Sequence, residues 1–349
     1  MTASFAIAGR RIGPGARPYV IAEMSGNHGG NFDRAMAILE AAKQAGADAV
    51  KLQTYTADTM TIDVDEPGFR IEGGLWHGRT LYDLYREAHT PWDWHAPLFK
   101  RGRELGIAVI SSPFDPTAVD LLEELDAPAY KVASFEIVDL PLIRRIARIG
   151  RPMIISTGMA NLAEIHEAIA AARAAGALDI ALLHCVSGYP TPAAEANLHM
   201  IKLLADTFNV VVGLSDHTTD IGVAVAAVAR GAALVEKHFT LARADGGPDA
   251  AFSVEPDEMA ALARNIALAA EACRGETFHR APSEEQNRIF RRSLYIVEDI
   301  PAGGVLNERN MRAIRPGFGL PPKFHDLLLG KRLKQAAKRG TPLSWDLIG

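Results

Sequence analysis

Eight short apolar runs recur along the chain, and each stops abruptly at polar residues. They are Tyr19–Glu23, Ala49–Gln53, Ala108–Ser112, Ala129–Ser134, Met153–Ser156, Ile180–Cys185, Val210–Ser215 and Leu234–His238. A strand buried on both faces reads as such a run rather than as an alternation. Helical patterns separate most of them, as at Asp33–Ala45, Pro116–Leu125, Leu162–Ala175 and Ile221–Arg230. Asn161 and Asp220 stand where helix N-caps belong, and Gly46, Gly106, Gly150, Gly176 and Gly231 stand where helices should stop. Eight strand–helix alternations over about 250 residues predict the α/β class and a (β/α)8 TIM barrel. A doubly wound open sheet is the alternative, but it does not usually carry chemistry on every strand end. A hairpin through Gly9, from Phe5–Ala8 to Ile12, precedes the first run and is expected to plug the lower mouth.

Catalytic residues of such barrels come from the C-terminal ends of the strands. Those ends carry Glu23, Lys51 with Gln53, Ser111 with Ser112, Lys131 with Ser134, Ser156 with Thr157, His184 with Ser187, Ser215 with His217, and Glu236 with His238. Lys51 shares a strand face with Gln53, Ser215 with His217, and Glu236 with His238, because the side-chain period of a strand is two. The expected site is a rim that holds a metal and an anion.

Each motif also has a plainer reading. Lys51 and Lys131 interrupt apolar strands, where an unpaired ammonium is costly. They are either buried ion pairs, with Glu23 or Glu136, or a clamp for a phosphorylated or carboxylated ligand, helped by Ser112, Ser134, Ser156 and Ser215. A Schiff-base role for Lys131 is a third option. His217 and His238 end consecutive strands, and paired imidazoles suit a borderline divalent metal at an open, catalytic site. Asp249 could complete that shell, and Asp216 and Glu236 could orient the rings, whereas His184 reads as a satisfied polar group. Glu23 either neutralises a lysine or serves as a general acid/base. Arg315, in a rigid turn, is an ordinary turn residue or an arginine presented to a ligand in a neighbouring subunit.

The connection from Thr54 to Pro91 is long for a strand–helix loop and carries Tyr55, Phe69, Trp76, Tyr82 and Tyr85. Its length and aromatics predict a lid or a substrate wall. After Cys273 the composition changes. Gly275–Gln286, polar and with Pro282, reads as a linker. A compact segment of about 65 residues follows, with strands at Ser293–Val297 and Met311–Ile314 and turns at Pro301–Gly304 and Arg315–Gly319. The expected domains are therefore 1–280 and 281–349.

The 349 residues are 48% hydrophobic, enough for a large and a small domain. A formal charge of −5 argues against nucleic acid as a partner. The basic group of Lys331, Arg332, Lys334, Lys338 and Arg339 reads as a solvated face. Two cysteines in unlike contexts, Cys185 and Cys273, suggest no disulfide framework and a reducing compartment. Met1–Gly9 lacks a signal-peptide pattern, and no apolar run approaches the roughly 20 residues of a membrane span. The expectation is a cytoplasmic protein without a membrane partner.

Taken in order, several motifs resemble the sialic acid synthase family of phosphoenolpyruvate-dependent condensing enzymes. They are Ile21–His28 (IAEMSGNH), Val50–Thr54 (VKLQT), Ser111–Phe114 (SSPF), Ala129–Ser134 (AYKVAS), Ser156–Met159 (STGM), Gly213–Thr218 (GLSDHT) and Glu236–Phe239 (EKHF). The likeness covers nearly the whole chain, and the small domain resembles the family's antifreeze-like (SAF) module. Gly74–Trp76, Leu81–Tyr85, Thr90–His95, Ser134–Glu136 and Arg315–Leu320 are most similar to the branch that makes pseudaminic acid.

The resemblance implies a metal, Mn2+, Mg2+ or Co2+, on His217 and His238. It implies that Glu23, Lys51, Lys131 and Glu236 are catalytic, with Glu23 transferring protons. Phosphoenolpyruvate and an acylated amino sugar are the implied substrates. They would be held by Lys51, Gln53, Ser112, Lys131, Ser134, Ser156, Ser187, Tyr189, Ser215, Asp249 and Arg315, the last acting across a domain-swapped homodimer. Ser187, within His184–Pro190 (HCVSGYP), stands where neuraminate-making members carry asparagine, which points to a sugar other than N-acetylmannosamine. Neuraminate or legionaminate synthesis is the alternative activity, and a non-catalytic sugar-phosphate-binding barrel is the alternative class.

Overall fold

The computed structural model describes residues 4–275, 277–278 and 280–349. A two-stranded antiparallel hairpin comes first, β1 (Phe5–Ile7) with β2 (Arg10–Ile12). Eight parallel strands then close into a barrel: β3 (Tyr19–Glu23), β4 (Ala49–Thr54), β5 (Ala108–Pro113), β6 (Tyr130–Val132), β7 (Met153–Ser156), β8 (Ile180–Cys185), β9 (Val211–Asp216) and β10 (Leu234–His238). β10 pairs with both β9 and β3, so the sheet has no edge. The predicted TIM barrel is the observed fold.

The strand residues alternate between two cores. Inward residues such as Ile21, Ala49, Ile110, Ile154, Leu183 and Val211 form one buried cluster, which also contains Phe5, Ile7 and Ile12 of the hairpin. The hairpin therefore does close the lower mouth. Outward residues such as Val20, Val50, Val109, Val132 and Val212 pack against the surrounding helices. Gly213 marks a close approach inside the barrel: a Cβ there would come within 2.7 Å of the Leu183 side chain.

Helix boundaries follow local chemistry. Asn161 Oδ1 accepts from the backbone N–H groups of Ala163 and Glu164 at 2.8 and 3.0 Å, and Glu164 returns a bond to the Asn161 N–H at 2.8 Å, starting the helix Leu162–Ala174. Asp220 differs from expectation. Its carboxylate accepts from the Gly222 N–H, but the N-cap of the helix Gly222–Ala229 is Ile221. The predicted run Ala129–Ser134 yields a strand of only three residues, because Ser134 already begins a 3-10 turn through Val138.

Contacts divide the chain into Met1–Arg274 and Gly275–Gly349. The second unit has its own antiparallel pair, β11 (Ser293–Ile296) with β12 (Met311–Ile314), and its own core around Leu294, Ile296, Leu306, Met311, Leu328 and Leu343. The expected linker Gly275–Gln286 runs in part as a 3-10 helix from Pro282 to Phe290; Glu276 and His279 within it lie outside the described residues, as do Met1–Ala3 of the N-terminal reading. The five basic residues near the C-terminus are exposed. Among the described residues no helix is long and apolar enough to cross a membrane.

Candidate active site

Register places the polar strand ends on one rim. Glu23 is aligned with His238 on one side and Lys51 on the other, Glu236 with Ser215, and Ser215 with Cys185. Residues aligned across parallel strands point the same way, so these side chains converge inside the barrel.

Lys51 sits at the centre. Its Nζ lies 2.9 Å from Glu23 Oε2, 3.2 Å from Glu236 Oε1 and 3.4 Å from Ser112 Oγ. Gln53 donates to Glu23 Oε1 at 2.8 Å, and Ser215 donates to Glu236 Oε1 at 3.3 Å. Burial alone would depress the Lys51 ammonium, but the two carboxylates outweigh it and keep it charged. Burial pushes Glu23 above the ordinary carboxylate range, with Lys51 opposing and Glu236 reinforcing the rise. Glu236 moves the other way because Lys131 and Lys51 outweigh its burial. Two neighbouring carboxyls thus have unlike proton affinities, which is what acid–base chemistry requires.

Lys131 differs from Lys51. It is buried, donates only to the Val132 carbonyl at 3.1 Å, and among the described residues forms no ion pair with Glu23 or Glu136. Burial lowers its proton affinity, with Glu236 partly compensating. Ser156 Oγ is buried with no hydrogen bond, and Ser134 Oγ accepts from the Gly158 N–H at 3.2 Å. A Cβ on Gly158 would lie 2.7 Å from Ser134 Oγ and closer still to Ser187 Oγ, so the glycine keeps these two loops together.

The imidazoles of His217 and His238 meet edge to face, with ring centroids 5.4 Å apart. His217 Nδ1 is 2.9 Å from the Val186 carbonyl; an N–H donated there leaves the Nε2 lone pair free. Burial holds His238 well below its ordinary value, hence neutral, and its buried Nδ1 has no hydrogen-bond partner. Asp249 Oδ2 lies 3.7 Å from that nitrogen and accepts a short hydrogen bond from Ser25. Burial alone would lower the proton affinity of His217, but Cys185 and the Val186 carbonyl outweigh it and raise that affinity, so a cation there would displace the proton. With both rings neutral, the pair fits a divalent cation whose other positions stay open. Among the described residues no group of three or more His, Cys, Asp and Glu is arranged around such an ion.

Several expectations change. Asp216 does not bond to an imidazole: it pairs with Lys237 at 2.8 Å, and the group on the His217 ring is the Val186 carbonyl. His184, by contrast, is the satisfied polar group expected, with Nε2 2.7 Å from the Ala196 carbonyl. Arg315 lies on an exposed turn of the second unit. The reading from sequence missed Ser25, Cys185 and Phe252 as neighbours of the site. Cys185 Sγ is 3.9 Å from His217 Nδ1, and the Phe252 ring is 4.8 Å from that of His238. Cys185 had a signal in its parity, since it is two residues from the inward Leu183; Phe252 had none.

The long connection after β4 contains the helices Ala57–Met60 and Leu81–Ala88 and is ordered by hydrogen bonds. Trp76 Nε1 donates to the Pro248 carbonyl at 3.0 Å, and its ring meets Tyr189 at 5.8 Å; Tyr189 in turn stacks on His217 at 4.4 Å. From this connection Trp76 reaches the site through Tyr189 of the loop after β8, and Phe252 lies against His238.

Comparisons with known proteins agree with this geometry. Residues 38–277 match the model of the NeuB family, and residues 291–349 that of the SAF domain. The pseudaminic acid synthase of Helicobacter pylori is 43% identical over 95% of this chain and 98% of its own length. That of Campylobacter jejuni subsp. jejuni serotype O:2 is 41% identical over 93% and 95%. The solved N-acetylneuraminic acid synthetase of Leptospira borgpetersenii, in complex with citrate, superimposes with a TM-score of 0.74 at 28% identity, over 82% of this chain and 95% of that one. The chain belongs to the NeuB family, with a SAF domain at its C-terminal end.

Proposed function

We propose that this chain is a pseudaminic acid synthase, condensing phosphoenolpyruvate with 2,4-diacetamido-2,4,6-trideoxy-L-altrose to give pseudaminic acid and phosphate. The observation that carries the chemistry is the buried Glu23–Lys51–Glu236–Lys131 cluster beside the His217–His238 pair. The names of the relatives at 41–43% identity, over more than nine tenths of this chain, support the choice of sugar.

Lys51 and Lys131, with the hydroxyls of Ser112, Ser134, Ser156 and Ser215, bind the phosphate and carboxylate of phosphoenolpyruvate. Lys131, which forms no direct ion pair among the described residues, has Nζ bonded only to the Val132 carbonyl and so is left to meet the anion. C3 of phosphoenolpyruvate attacks the sugar aldehyde, water adds at C2, and phosphate leaves with C–O cleavage. Glu23, lifted towards neutrality by burial, protonates the alkoxide that C3 attack leaves on the former aldehyde oxygen, and its carboxylate can then take a proton from the attacking water. Gln53 orients that carboxyl, and Glu236 holds Lys51 charged. His217 and His238 would hold a divalent cation (Mn2+, Mg2+ or Co2+), which would supply Lewis-acid polarisation of the aldehyde oxygen. Trp76 and Tyr189 exclude water from one side, Ser187 and Asp249 line the sugar pocket, and Arg315 reaches the acylamino group from a second copy of the chain.

The test is phosphate release from phosphoenolpyruvate with Mn2+, offering the altrose-configured sugar and N-acetylmannosamine in parallel. Release only with the former, abolished by a chelator, is expected. Release only with the latter would keep the mechanism and overturn the substrate. Phosphoenolpyruvate binding without turnover on either sugar would favour a binding protein.

A further inference from the structure

The Asp216–Lys237 pair is the most deeply buried ion pair of the chain among those described, with side chains 2% and 0% exposed. It lies on the outward face of β9 and β10, away from the substrate side. Burying two charges costs more than their attraction alone repays, so such a pair calls for an account beyond stability. Its geometry supplies one. Lys237 Nζ donates to Asp216 Oδ2 at 2.8 Å and to the Thr218 carbonyl at 2.6 Å, while Asp216 Oδ1 accepts from the Thr218 N–H at 3.0 Å. The backbone on either side of His217 is therefore clamped, and the same ammonium belongs to the residue just before His238. One closed set of hydrogen bonds fixes the two imidazole-bearing strand ends against each other.

We propose that Asp216 and Lys237 are positioning residues that set the separation and orientation of His217 and His238 for a divalent cation, without touching cation or substrate. This rests on the metal reading above. Hydrogen-bonded groups behind metal ligands commonly change affinity by roughly 10–100-fold when removed.

The test is a Mn2+ titration of the full chain, followed by electron paramagnetic resonance with neither substrate present, so that turnover plays no part. The variants are Lys237→Met and the charge-free double variant Asp216→Asn/Lys237→Met, which leaves no lone buried charge to unfold the barrel. Ile143→Ala serves as a control, because it weakens the helix packing far from the rim. The double variant should bind Mn2+ roughly 10–100-fold more weakly, while Ile143→Ala keeps the wild-type affinity despite a lower Tm. A double variant within about twofold of wild type would overturn the proposal. Equal weakening in the Ile143→Ala control would overturn it too, by making the pair merely structural. Absence of Mn2+ binding by the wild-type chain would sink the metal reading itself, and this inference with it.

Discussion

Glu23 and Glu136 show how place sets the chemistry of one functional group. Glu23 has Lys51 at 2.9 Å and is still lifted by burial, because a carboxylate loses more on leaving water than one shared ammonium returns. Replacing it by glutamine keeps the shape and the Gln53 contact and removes the proton. Glu23→Gln should lower turnover by roughly 10²–10⁴-fold and erase the alkaline limb of the rate–pH profile, where a proton donor with a raised proton affinity is lost; unchanged turnover would remove Glu23 from the mechanism. Glu136 is pushed up to about 7, chiefly by burial, and its Oε2 has no hydrogen bond. The folded state therefore holds a proton that the unfolded state releases near 4.5, so stability falls as pH rises between these values. Glu136→Gln should flatten that fall and melt higher than wild type at pH 8, as read by Tm across the pH range. A parallel loss in both proteins would show that Glu136 is not its source.

At the scale of elements, the loops after β6, β7 and β8 meet because Gly158 has no side chain. Gly158→Ala would push a methyl group into the Ser134 and Ser187 hydroxyls. The barrel strands do not depend on that contact. The expected outcome is a KM for phosphoenolpyruvate raised by roughly tenfold or more, with Tm nearly unchanged, since displaced binding groups act on the substrate before the fold. A normal KM would take these hydroxyls out of the pocket. This element was half legible in the chain. Ser134 and Ser156 stood at readable strand ends, whereas their approach to Ser187 depends on a 3-10 turn that began where the strand had been expected to continue.

For the whole molecule, the swapped-dimer reading makes a sharp prediction. If Arg315 serves a site on another copy, Arg315→Ala and Glu23→Gln chains, each inactive alone, should regain about a quarter of wild-type sites when co-refolded or co-expressed, because half the dimers are mixed and each mixed dimer has one intact site. Mixtures as inactive as either parent would exclude the exchange. The barrel itself was legible throughout, since eight buried runs separated by capped helices leave few other folds, and the polar end of each run marked the rim. Asp216 illustrates what was not legible. Its position beside His217 suggested a direct bond to the ring, but a residue one step along a strand faces the other side, and its carboxylate meets Lys237 there. The sequence by itself determined the fold class, the strand ends and the residue types at the rim, because these depend on local period and burial. The tertiary structure alone decided which carboxylate meets which lysine, that Lys131 has no ion pair among the described residues, and that Trp76 of a distant loop reaches His217 through Tyr189. Those pairings follow from barrel closure, which brings β10 against β3 and joins residues more than two hundred positions apart.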